Sequence, residues 1–86
     1  MGWKKFCELL EPFYDYKGRV AGGEFIELFN RRIDHSLVRI YYMDNNHCRI
    51  IGVPSSIRGT VVISDYITYK NAIKLLELMG LYMFEI

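Results

Sequence analysis

The chain has 86 residues, room for one compact domain (1–86) and no second one, since a chain this short buries only about 60–65% of the surface its unfolded form exposes. The set Ala, Val, Ile, Leu, Met, Phe, Trp, Tyr and Cys makes up 51% of it and charged residues 24%, a globular composition and not a disordered one. Eleven Lys and Arg against ten Asp and Glu leave a formal charge of +1, which withholds the basic field that non-specific phosphate binding draws on.

From Met1 to Glu11 there is no uninterrupted apolar segment with a small-residue cleavage site. Phe6 stands where a myristoylation pattern wants Ser or Thr, so an intracellular, cytoplasmic chain without a lipid anchor is expected. Trp3, Phe6, Leu10 and Phe13 recur at steps of three and four, which predicts a first helix that Pro12 ends or bends near Glu11. Lys17 and Gly18 read as a loop. Gly22 and Gly23 then precede a second predicted helix over 24–32, with Glu24 and Glu27 in its first turn and Arg31 and Arg32 in its last, the order the helix dipole favours.

From Leu37 the period changes to two, and Val38, Ile40 and Tyr42 alternate with Leu37, Arg39, Tyr41 and Met43 as in a strand. Asp44, Asn45, Asn46 and His47 supply a turn, and Cys48 to Val53 returns as a second strand. Pro54, Ser55, Ser56 and Gly59 break the chain before a short third strand, Thr60 to Ser64. Asp65 or Thr68 caps a third helix with Tyr69, Ala72, Ile73, Leu76 and Met79 on one side and Gly80 as its stop. Leu81 to Ile86 reads as a closing strand. The expected fold is α+β: two N-terminal helices, a three-stranded antiparallel meander, a helix and a C-terminal strand (ααβββαβ). These form one mixed four-stranded sheet with helices on one face, the last strand lying beside either the first or the third.

Chemistry-bearing residues are sparse. Cys7 and Cys48 lack the paired spacing of a zinc site and read as buried thiols, and no metal or cofactor is implied. Asp34, His35, His47 and Cys48 spell a small Cys/His enzyme. Adjacent strand residues point to opposite faces, however, so His47 is badly placed to take a proton from Cys48, and no catalytic residue is assigned. Lys17 to Gly23 matches neither a dinucleotide fingerprint nor a P-loop, and Glu24 and Glu27 would repel an anion there, which leaves an interhelical loop as the reading. Arg31, Arg32, Arg39, Arg49 and Arg58, with Tyr41 to stack on a base, keep nucleic-acid binding as the alternative function.

The stronger signal is the apolar surplus. A domain of this size is mostly surface and cannot enclose a hydrophobic set of 51%, with 15% of the chain aromatic, so some of it faces water or a partner. If Val38, Ile40 and Tyr42 are buried, then Leu37, Arg39, Tyr41 and Met43 turn outward. The loop length at Asn45 and Asn46 decides the second strand: two or four residues bury Cys48 and Ile50, three or five bury Arg49 and Ile51. The expected partner-binding set is Leu37, Arg39, Tyr41, Met43, Arg49 and Ile51, types that include the Tyr, Arg and Met favoured at interface centres. The expected function is a small protein-interaction module, an adaptor or inhibitor, binding a protein partner or a second copy of itself through a sheet face or edge, without a membrane. Accessory proteins of viruses and mobile elements are often small and motif-free in this way, an association by size alone.

Overall fold

The structure, a computed structural model, describes residues 1–21, 23–29, 37–53 and 59–80. Helix α1 (Trp3–Leu10) buries Phe6, Cys7 and Leu10, the stripe that the three-and-four spacing marks out. It closes ahead of Pro12, with the amides of Phe13 and Tyr14 both donating to the Leu10 carbonyl. Five strands follow: β1 (Tyr16–Val20), β2 (Gly23–Phe29), β3 (Leu37–Tyr42), β4 (His47–Val53) and β5 (Val61–Thr68), the last running into helix α2 (Tyr69–Leu78). The sheet order is β1-β2-β3-β4-β5 and every pairing is antiparallel.

This corrects the expected architecture. The described sheet is a five-stranded antiparallel meander, not a mixed four-stranded one, and the described chain has two helices in the order αβββββα. The segment expected as a second helix is β2, and the segment expected as a loop is β1. The physical reason lies in β2. Phe25 and Glu27 face one side and Ile26 and Leu28 the other, and Phe25, Ile26 and Leu28 are all buried. A strand covered on both faces loses the plain alternation that marks a strand, and its dense apolar run then imitates a short helix. Gly23, at φ +142°, opens β2 directly after the β1 hairpin, a backbone setting that favours glycine. The ends of that expected helix (30–32) and the closing strand (81–86) lie outside the described residues.

Elsewhere the local chemistry reads through. The Thr68 hydroxyl caps α2 by accepting from the Asn71 amide, and Gly80 has φ +75° just beyond the helix. The β3–β4 hairpin pairs Tyr42 with Cys48, Ile40 with Ile50 and Val38 with Gly52. That register leaves an odd loop, the three residues 44–46 between Met43 and His47, closed by the Met43 amide donating to the His47 carbonyl. Directly opposed residues share a face, so the odd loop expected to bury Arg49 and Ile51 buries Cys48 and Ile50 instead, and the Asn46 amide donating to Asp44 Oδ1 fixes its turn. The core therefore lies on one side of the sheet, where Ile26, Leu28, Val38, Ile40, Cys48 and Ile50 meet Phe6, Cys7 and Leu10 of α1 and Tyr69, Ala72, Ile73 and Leu76 of α2. Trp3 closes one end of it, with ring centroids 5.9 Å from Phe6, 5.8 Å from Tyr42 and 6.0 Å from Tyr69. Both helices cover one face, and the opposite face of the sheet carries no element among the described residues.

Candidate functional site: the bare sheet face

Alternation along each strand decides what the bare face presents. With Val38, Ile40 and Tyr42 turned to the helices, Leu37, Arg39 and Tyr41 of β3 turn away from them, and so do His47, Arg49 and Ile51 of β4. The register sets these residues side by side: Phe25 opposite Tyr41 and Tyr41 opposite Arg49, then Glu27 opposite Arg39 and Arg39 opposite Ile51. All six residues expected from the sequence therefore belong to this side of the sheet or its rim. Tyr41, Met43, Arg49 and Ile51 line one shallow concavity of about 540 Å³, shared with Val20, Gly23, Glu24 and Tyr42. Leu37 and Arg39 lie further along the same face, beyond that hollow.

Residues that the sequence reading left out complete the surface. Tyr16, Phe25 and Tyr41 form a row of rings, with centroids 5.9 Å apart for the first pair and 5.5 Å for the second. The Arg39 guanidinium lies 5.5 Å from the Phe25 centroid, and its Nε donates to Glu27 Oε1 at 2.6 Å. The Tyr41 hydroxyl and then the Glu27 carboxylate hold the Arg39 guanidinium charged, raising its pKa above the ordinary value. Arg49 pairs with Asp65 of β5 in the same manner. Ion pairs as exposed as these contribute only about 0–1 kcal/mol each to folding. Their larger effect is to neutralise the two cations of the face.

At one corner a polar cluster gathers on the β3–β4 turn. Asp44 accepts from the Tyr66 hydroxyl through Oδ2 at 2.5 Å, while its Oδ1 lies 3.0 Å from His47 Nδ1. The imidazole stacks on the Tyr66 ring, with centroids 3.9 Å apart and planes 11° from parallel. The Tyr69 hydroxyl donates to the Asp44 carbonyl and ties the turn to the start of α2. The Tyr66 hydroxyl, the Asn46 amide and His47 together hold the Asp44 carboxyl down at about 2. Neither Tyr66 nor Tyr69 was legible as a partner of the turn, because both lie more than twenty residues along the chain.

The chemical readings fare differently. Cys7 and Cys48 are free and buried, and burial pushes their thiols up to about 11 and about 12. His47 stands on the bare face while Cys48 beside it points into the core, so the two do not form a nucleophile and base. Among the described residues no group of three or more His, Cys, Asp and Glu is placed to hold a metal ion, and no helix is long and apolar enough to cross a membrane. Lys17, expected in a loop, lies in β1 and pairs with Glu24 across the hairpin at 3.3 Å. Arg31, Arg32, Asp34, His35 and Arg58 fall outside the described residues. No family model matches the chain, and neither a curated protein nor a solved structure matches it.

Proposed function

We propose that this chain is a small cytoplasmic protein-interaction module, an adaptor or inhibitor, that docks a protein partner on the bare face of its sheet. The observation that carries the reading is the gathering of Leu37, Arg39, Tyr41, Arg49 and Ile51 on the side away from both helices, with Met43 at its rim. Apolar residues beside them face solvent, Val62 at 55% exposure and Tyr66 at 57%. A contiguous apolar and aromatic surface with a few fixed charges has the make-up of an interface centre. Two buried free thiols suit a reducing compartment.

Catalysis is not part of the proposal, because the thiols are buried and His47 and Cys48 point to opposite faces. Nucleic-acid binding is weaker support for the same surface. Its rings are available for stacking, but Arg39 and Arg49 are already engaged by Glu27 and Asp65, and phosphate binding draws on cations free to release counterions. A partner recovered from the native cell tests the reading. Tyr41→Ala should weaken its binding by about 1–3 kcal/mol, with an unchanged circular-dichroism spectrum and little response to salt. Loss of folding in that variant, or affinity that falls steeply with salt, would contradict it.

A further inference from the structure

The kind of partner this face fits is set by its charge balance, its area and the condition of the sheet edges. Resting on the docking reading above, we infer that the partner is a second copy of this chain, packed sheet against sheet about a two-fold axis lying between the two bare faces.

The edges point away from strand addition. Among the described residues β1 and β5 are the outer strands. β1 is five residues long, with Lys17, Gly18 and Arg19 at its middle. β5 breaks register twice against β4: Cys48 pairs with Ile67, Ile50 with Ser64, and Ile51 with Val62. Short, charged and bulged edges are the devices that stop a sheet from growing sideways, because they offer no long straight ladder to another strand. Exposed apolar side chains of those outer strands, Tyr16 and Val20 of β1 with Val62 and Tyr66 of β5, turn to the open face, so a partner meets them through the face and not through the backbone ladder.

Charge selects the occupant. Arg39 with Glu27 and Arg49 with Asp65 set two cations against two anions on the same side of the sheet. A nucleic acid or an anionic lipid surface would have to displace both carboxylates. A copy of the same face brings the same two balanced pairs, which can stay closed or be exchanged across the contact, while the Asp44 carboxylate lies apart from them at the corner on the β3–β4 turn. Only a surface carrying its own balance meets the self-complementarity an isologous dimer requires.

Area and shape agree. The molecule measures 37 × 33 × 19 Å, a slab with the helices on one broad side and, among the described residues, the uncovered sheet on the other. Five strands at about 4.8 Å spacing, with about 3.3 Å per residue, give a face of roughly 20 by 20 Å, on the order of 400 Å² in projection. Side-chain relief raises the accessible area above that, and two faces together approach the roughly 1,000 Å² that a specific interface needs. Two such sheets stack about 10 Å apart with their strands some 30° from alignment, and both helix layers then lie outside.

Sedimentation of the wild-type chain at micromolar concentration, beside Ile51→Asp and Val62→Asp, tests the dimer. Val62 is half exposed, so its replacement leaves a folded protein even if Ile51→Asp does not fold. The expected result is a species of twice the chain mass for the wild type, indifferent to added salt, and a folded monomer for the variants. A wild-type monomer that binds an apolar fluorescent dye, with binding lost in the variants, overturns the dimer and leaves the docking reading standing. A wild-type monomer that binds no dye overturns both. A dimer untouched by either substitution also overturns the inference, since its contact would lie elsewhere.

Discussion

Asp44 ties together three parts of the chain: its own turn through the Asn46 amide and His47, β5 through the Tyr66 hydroxyl, and α2 through Tyr69. Its carboxyl is held at about 2 in the folded protein against an ordinary 3.8, so these contacts favour the ionised form. A lowered folded-state pKa contributes stability that is present above the unfolded value and lost as pH falls through the folded one. The wild type should therefore be more stable than Asp44→Asn above pH 3.8, and the difference should shrink between that pH and about 2. Urea unfolding of both proteins across this range checks it, and a difference that stays constant down to the lower end would contradict the assignment. A one-dimensional reading sees the Asn pair and the turn but not the two hydroxyls, because contacts made across the fold leave no local trace.

Among the elements, β1 and β2 show how a strand escapes recognition. β2 is packed on both sides, by the helices through Ile26 and Leu28 and by Tyr16, Tyr41 and Arg39 around Phe25. Its acidic start and apolar run satisfy the helix pattern, and the decisive fact, that side chains of the flanking strands β1 and β3 close around Phe25 on the open face, is tertiary. In β1 the misleading residue was Gly18. A Cβ there would come within 2.7 Å of the Tyr16 ring and 2.8 Å of the Phe25 ring, so glycine is what allows the rings to close over the strand. Gly18→Ala should cost about 1–3 kcal/mol of stability through overpacking, measured by thermal unfolding, with the near-ultraviolet signal of the tyrosines altered. A neutral or stabilising outcome would mean that the rings move aside freely. The period-two segment from Leu37, the turn and the Thr68-capped helix were legible because each rests on chemistry within a few residues of itself.

At the scale of the molecule, the account rests on an asymmetry: one side of the sheet is roofed by both helices and the other, among the described residues, is open. Composition announced the surplus of apolar residues, and the hairpin alternation located part of it at Leu37, Arg39, Tyr41 and Met43. The companion residues Phe25, Glu27, Asp65 and Tyr66 came from segments whose strand character or register was hidden. Ile50 and Ile51 are chain neighbours divided by this asymmetry, Ile50 fully buried under the helices and Ile51 on the open face. The direct measurement is the unfolding free energy of Ile50→Asp beside that of Ile51→Asp. The account predicts that a charge forced into the core at 50 costs more than about 4 kcal/mol or abolishes folding, whereas the change at 51 costs no more than about 2 kcal/mol and leaves the native spectrum. Equal and severe destabilisation by both would show that the second face is core as well, and the docking surface would be gone.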